Sequence, residues 1–303
     1  MTAPSFTPTA RSPRALDEAL GIRSDPAWLV IAGGTDVYPM HVGRALDRPL
    51  LDLSRVEGLQ DLETRTDASG RVWLRMGAGV TWAQLRDYPA PPGLEALGQA
   101  AAEVGGFQIQ NQATLGGNLC NASPAADGVP ALLALGAEVE LASVRGVRRQ
   151  PIAGFVLGNR RTALAGDELL TAVEVPLPSG RAASSFLKLG HRRYLVISIV
   201  MVAVQVDFDP DNRLTDCRIA VGACSASARR VEPIEALLTG LARSDAAVEI
   251  DRLLAPAGAA VPLLEAAVSP IDDVRGSAVY RREAARELVR RALTLAIDSR
   301  RNH

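Results

Sequence analysis

Two short stretches of this chain pair glycines with small hydroxyl residues and an aspartate: Ile31-Ala-Gly-Gly-Thr-Asp36 and Asn111-Gln-Ala-Thr-Leu-Gly-Gly-Asn-Leu-Cys-Asn-Ala-Ser-Pro-Ala-Ala-Asp127. At Gly33-Gly34 and Gly116-Gly117 no side chain holds a phosphate away, so successive backbone N–H groups can point at an anion. Paired glycines after the apolar strand Trp28 to Ile31 would by themselves describe only a tight turn. Thr35, Asp36 and the second stretch change that weighing. The second stretch adds Thr114, Asn118 and Ser123 and ends in Asp127, an acceptor suited to a ribose hydroxyl or a ring N–H. A soluble core has no need of so many small and polar residues in one irregular segment. Two such loops imply a large dinucleotide held between two lobes. Gly77-Ala-Gly79 lacks the third glycine and the helix spacing of a dinucleotide-binding fingerprint and reads as a turn.

With 303 residues, 48% of them apolar, the chain has material for two cores. Lys+Arg 33 against Asp+Glu 34 leaves a formal charge of −1, so no global field recruits nucleic acid or an anionic membrane. There is no run of about 18 apolar residues, and Met1-Thr-Ala-Pro-Ser-Phe-Thr-Pro lacks the pattern of a secretory leader, so the chain reads as cytoplasmic. Cys120, Cys217 and Cys224 are too scattered for a four-thiolate cluster, and any iron–sulfur centre is expected on another subunit. Lys188 is the only lysine against 32 arginines. Coding bias explains the depletion, but a single surviving ammonium marks a position where a point charge is not interchangeable with guanidinium.

Apolar spacing predicts a helix over Ala15 to Leu20, and strands over Trp28 to Ile31 and Leu50 to Leu53. A second α/β lobe is expected from Val72 to Met76 (strand), Thr81 to Arg86 and Leu94 to Ala102 (helices), the second loop, Val129 to Leu135 (helix), and Glu138 to Leu141 and Leu169 to Val175 (strands). Pro176 to Gly180 and Ala182 to Ser185 read as a linker. Beyond it come strands at Ser198 to Phe208 and Arg218 to Ala223, then helices at Val231 to Leu238 and Ala278 to Ile297, an α+β order. Leu254 to Ala267 reads as a loop and helix.

The order A-G-G-T-D followed by N-x-A-T-x-G-G-N-x-x-x-A-S-P-A-A-D-x-x-P-A-L-L-A-L resembles the FAD-binding medium subunit of the molybdenum hydroxylases, the family of xanthine dehydrogenase and carbon monoxide dehydrogenase. Glu168-Leu-Leu-Thr-Ala-Val-Glu-Val-Pro176, Phe186-Leu-Lys-Leu-Gly-His-Arg-Arg193 and Arg275-Gly-Ser-Ala-Val-Tyr-Arg-Arg282 agree, so the resemblance spans almost the whole chain. Ile219-Ala-Val-Gly-Ala-Cys-Ser225, Arg229-Arg230 and Glu235-Ala-Leu-Leu-Thr-Gly240 place it nearest the xanthine dehydrogenase branch.

The resemblance implies an α+β fold: a two-lobed FAD-binding domain of the vanillyl-alcohol oxidase or PCMH type over 1–178, with lobes of about 1–55 and 56–178, then a C-terminal α+β domain over 183–303 built from an antiparallel sheet plus helices. It implies FAD contacts at Val30, Ile31, Ala32, Gly33, Gly34, Thr35, Asp36 and Val37, and at Thr114, Leu115, Gly116, Gly117, Asn118 and Asp127, to which Ser123 is added from its place in the second loop. Val104 is expected beside the adenine, Leu170 against the ring system and Lys188 at its polar edge. It also implies partners: a molybdopterin-binding large subunit and a small subunit carrying [2Fe-2S] clusters, with electrons leaving the flavin for NAD+ or another acceptor. No residue is expected to act as a general acid or base.

Other features read as structural. His41 and His191 have no third ligand at useful spacing, so no metal site is expected. Cys120 is expected to pack in the core, since thiols are among the most buried side chains. Ser123 and Ser198 lack a paired histidine and acid, which argues against nucleophilic hydrolysis. Arg193-Tyr-Leu-Val-Ile-Ser198 borders the side from which a nicotinamide would approach, and Tyr194 either stacks on a ring there or packs at the domain boundary. Two rivals remain: a self-sufficient flavin oxidoreductase of the same fold, and a non-enzymatic nucleotide-binding assembly module.

Overall fold

A computed structural model describes residues 9–178 and 180–299. The N-terminal octapeptide read above for a leader lies outside the described residues, as does Ser179 of the linker. The first lobe is a small parallel sheet in the order β1-β3-β2, made of β1 (Ala10–Arg11), β2 (Leu29–Ile31) and β3 (Leu50–Asp52). Parallel strands need a crossover, supplied here by α1 (Leu16–Arg23) and by the segment that holds the one-turn helix α2 (Val37–Met40). This lobe does not close its own core. Ala19, Leu20, Leu51, Leu53, Val56 and Leu59 pack with Ala142 and Leu169 of the next lobe, which seats one lobe on the other and leaves a cleft beside the seam.

The second lobe opens with the hairpin β4 (Leu62–Thr66) and β5 (Val72–Gly77). Five helices follow: α3 (Trp82–Asp87), α4 (Glu95–Glu103), α5 (Phe107–Gln112), α6 (Leu115–Asn121) and α7 (Gly128–Ala134). Then come β6 (Glu138–Ser143), β7 (Gly146–Pro151), the small hairpin β8 (Val156–Gly158) with β9 (Arg161–Thr162), and β10 (Leu169–Pro176). The sheet runs β4-β5-β10-β6-β7 and every neighbour is antiparallel, so the strands and helices expected of a second α/β lobe do not alternate through a parallel sheet. The helices are gathered on one face instead of connecting parallel strands. Leu74, Met76, Val139, Leu141, Val173 and Val175 alternate onto that face and pack beneath them.

The opposite face carries charge. The register sets Glu63 against Arg75, Arg75 against Glu174, and Glu140 against Arg149. Arg75 pairs with Glu140 at 2.9 Å and Arg149 with Glu174 at 3.1 Å, while Arg65 also pairs with Glu174 and Arg149 with Glu140. Buried carboxylates persist there because each has at least two guanidinium partners.

The second glycine stretch is not the long irregular loop expected from its composition. Thr114 caps α6 through a bond from the Gly117 amide at 3.0 Å, and most of the segment is helical. The linker is likewise short, because strand begins at Ala183. Glu95 accepts the amide of Ser184, and the Gln99 side chain accepts that of Phe186, which fixes the crossing point against α4.

The C-terminal sheet comprises β11 (Ala183–Leu189), β12 (Val200–Phe208), β13 (Leu214–Gly222) and β14 (Arg229–Arg230), antiparallel and in chain order. The helices α8 (Glu232–Leu238), α9 (Arg243–Leu253), α10 (Val261–Ala267) and α11 (Ala278–Asp298) complete it. β12 is buried on both faces. Val200, Val202, Val204 and Val206 sit in the core with Val289, Leu293 and Ala296 of α11, while the alternating Met201 and Ala203 join the core of the second lobe. That shared packing brings the start of β12 and the end of β11 up to the cleft.

Candidate FAD site

The cleft between the lobes has a volume of about 620 Å³, within the range of cofactor-sized pockets. Its walls are the β2–α2 segment, the N-terminal part of α6, the turn before α7, the start of β10 and Ile197. All of the expected contact residues line it except Leu115 and Lys188. Leu115 points into the core, fully buried. Ile197 comes from the 193–198 segment expected to border the flavin; the walls also include residues that the sequence did not suggest: Arg23, Trp28, Arg48, Ile109 and Leu164. They reach the cleft only through tertiary packing, and no local pattern marks them.

The glycines have separable reasons. A Cβ on Gly33 would sit 1.8 Å from the carbonyl oxygen of Gln112, and one on Gly116 would lie 2.7 Å from the Ala78 Cβ and 2.8 Å from its carbonyl oxygen. Those two permit backbone to approach backbone. Gly34 has φ +71°, which an L side chain rarely adopts. On Gly117 a Cβ would meet nothing but the Thr114 hydroxyl at 2.9 Å, so this glycine leaves the cleft itself clear.

The two loops differ in their amides. In the second, the amides of Leu115, Gly116, Gly117 and Asn118 donate to Val80, Ala78, the Thr114 hydroxyl and Thr114. The amides of Gly33, Gly34, Thr35 and Asp36 donate to no group among the described residues, and these are the donors an anion would find. The second stretch ends in an acceptor instead, the Asp127 carboxylate, which lines the cleft. Asn118 lines the cleft as well, but its Oδ1 is enclosed by protein beside Gly128, without a partner among the described residues. Beside the first loop, burial raises the Asp36 carboxyl above its ordinary range, against the opposing charge of Arg160.

Asp127 marks one end. Lys188 Nζ donates to Asp127 Oδ2 at 2.7 Å and to the Glu103 carbonyl at 2.9 Å, and Ser198 Oγ donates to Asp127 Oδ1 at 2.6 Å. Burial pushes the Asp127 carboxyl up, while the charge and hydrogen bond of Lys188 and the bond from Ser198 pull it down. Lys188 therefore stands behind Asp127, with a side chain only 4% exposed. Elsewhere Arg23 and Arg48 both face the cleft, tied to the backbone carbonyls of residues 26–28 and 168. Burial and the charge of Arg48 lower the proton affinity of Arg23.

Cys120 corrects an expectation. It is not a core thiol but faces the cleft, surrounded by protein on the other sides, and this burial pushes its pKa up to about 12. It is a neutral thiol and a poor nucleophile. Among the described residues no cluster of His, Cys, Asp or Glu is arranged to hold a metal ion, and no helix is long and apolar enough to cross a membrane.

Residues 6–178 match the family model for the FAD binding domain in molybdopterin dehydrogenase. The chain belongs to this family of FAD-binding subunits. Residues 185–296 match the carbon monoxide dehydrogenase flavoprotein C-terminal domain. The chain is 34% identical to the nicotine 6-hydroxylase medium subunit of Paenarthrobacter nicotinovorans, over 94% of this chain and 95% of that one. It is also 34% identical to a putative xanthine dehydrogenase FAD-binding subunit of Escherichia coli K12, over 73% of this chain and 75% of the relative. The fold is that of a chain in carbon monoxide dehydrogenase from Hydrogenophaga pseudoflava, with TM-score 0.83, 27% identity and 98% of each chain covered. As in the rest of its family, FAD is the cofactor. The free amides of the first loop and the open cleft side at Gly117 suit it.

Proposed function

We propose that this subunit is the flavin-bearing electron carrier of a cytoplasmic molybdenum hydroxylase complex, between iron–sulfur clusters on a small partner subunit and NAD+ or another acceptor. A molybdopterin-bearing large subunit would hold the substrate. FAD, when bound, supplies the conversion between single electrons and a transferred hydride. The chain's own residues bind and orient it. The unbonded amides of Gly33 to Asp36 take the pyrophosphate, Gly117 leaves it room, and Asp127, fixed by its two donors, accepts from a ring N–H or a ribityl hydroxyl. Leu170 and Val104 pack on its apolar surfaces. The cofactor-binding domain extends to residue 178, with its lobes meeting near residues 55–56, and the C-terminal domain from residue 183 delivers Lys188.

The observation that carries this proposal is the run of four amides, unbonded among the described residues, in a dinucleotide-sized cleft that the acceptor Asp127 also lines. The purified chain is expected to be yellow and to release one noncovalent FAD into the supernatant on acid precipitation. Recovery of FMN, of covalently retained flavin, or of none after reconstitution would contradict it.

A further inference from the structure

Ser198 carries no role in the cofactor contacts set out above, yet it is 2% exposed and spends its hydroxyl proton on Asp127. Asp127 occupies the N-cap of α7, where a carboxylate ordinarily bonds its own helix amides. Here the side chain makes no such bond. Both oxygens turn toward donors from the C-terminal domain instead.

The Ser198 hydroxyl is fixed from behind. The amide of the next residue, Ile199, donates to the Leu189 carbonyl at 2.8 Å, and the Ile199 carbonyl accepts from Arg281 Nη1 at 2.7 Å. Arg281 is itself buried on α11 and held by Asp273 at 2.7 Å. On its other side Ser198 adjoins Ile197, which lines the cleft. The hydroxyl is thus preorganised by a chain of contacts that reaches into the C-terminal core.

Given FAD in the cleft as proposed above, we infer that Ser198 is a positioning residue, which keeps Asp127 oriented and ionised as an acceptor for the flavin end of the cofactor. Lys188 from β11 performs the same task at the other oxygen. The charged groups facing Asp127 are Lys188, which favours the carboxylate, and Glu103 at the end of α4, which opposes it. With Lys188 alone, one oxygen of Asp127 is left without a donor in a buried setting, and the carboxyl takes up a proton more readily. A protonated Asp127 donates where the cofactor needs an acceptor.

The test is FAD titration of the full-length apo-protein by flavin fluorescence across pH, with wild type, Ser198→Ala and Ser198→Thr. Loss of one hydrogen bond to a charged group corresponds to about tenfold weaker FAD binding in Ser198→Ala at neutral pH. The acid limb, where affinity falls as Asp127 protonates, moves to higher pH in this variant. Ser198→Thr restores both affinity and limb. Should the alanine chain not fold, Ser198→Cys, with a weaker donor, shows the same displacement in smaller measure. Unchanged affinity, or a loss equal at every pH, overturns the positioning role while leaving the FAD site standing. Failure of the wild-type chain to take up FAD removes the proposed function and this inference together.

Discussion

The two glycine loops share a spelling and differ in physics. Around Gly33-Gly34 the backbone is irregular and its amides are unbonded; around Gly116-Gly117 it is the first turn of a helix whose amides are already bonded within the protein. The first loop therefore has donors left for a ligand, while the second has spent its own and brings the Asp127 carboxylate to the cleft. A Gly-Gly pair in a sequence signals that a side chain is unwelcome without saying whether backbone or ligand occupies the space. Of these glycines only Gly117 would set its Cβ against a single side-chain atom, the Thr114 hydroxyl, with the cleft side otherwise open.

The largest effect that would break this comparison concerns the acceptor at the end of the second stretch. Lys188→Met leaves Asp127 buried and without its cation, a loss of about 3–5 kcal/mol by analogy with other broken buried pairs. Denaturant unfolding measures it. The sign with pH follows from the raised Asp127 carboxyl. A group whose folded pKa lies above its unfolded value favours folding fully below the unfolded value and loses that contribution as pH rises through the folded one. The deficit of Lys188→Met should accordingly be greatest near neutrality and shrink in acid. A deficit independent of pH would mean that the pair is not what was broken.

A smaller loss tests the first loop. Gly33→Ala drives a methyl against the Gln112 carbonyl, and since both partners are backbone the strain falls at the upper end of overpacking costs, about 3 kcal/mol. The loop must shift, and FAD should be lost with it. A variant of wild-type stability that still binds FAD would show that the loop does not approach α5 so closely.

Much of this was legible beforehand. β2 running into the first glycine loop, the buried α7 and the amphipathic α11 follow from apolar spacing, and the cofactor from motif order. α5 and α6 were not legible, because they are only 6 and 7 residues long, α6 carries the poor helix formers Gly and Asn, and the cap at Thr114 and tertiary packing decide the matter. β4 and β7 escaped notice because edge strands rich in arginine and threonine lack the apolar alternation that announces a strand. Lys188 stood out as a residue, but its partner lies 61 positions away, and Ser198 could be dismissed as a nucleophile without any sign of what it holds in place.

The contrast between the loops is tested most directly at Gly117. Gly117→Val sets its first side-chain atom 2.9 Å from the Thr114 hydroxyl that caps α6, so the chain should stay folded with a loss of about 1 kcal/mol, the worth of such a cap, while FAD affinity, measured by fluorescence titration, falls at least about a hundredfold. Stoichiometric, tightly bound FAD in a folded Gly117→Val chain would contradict the account, since the cofactor would then not lie against the second loop.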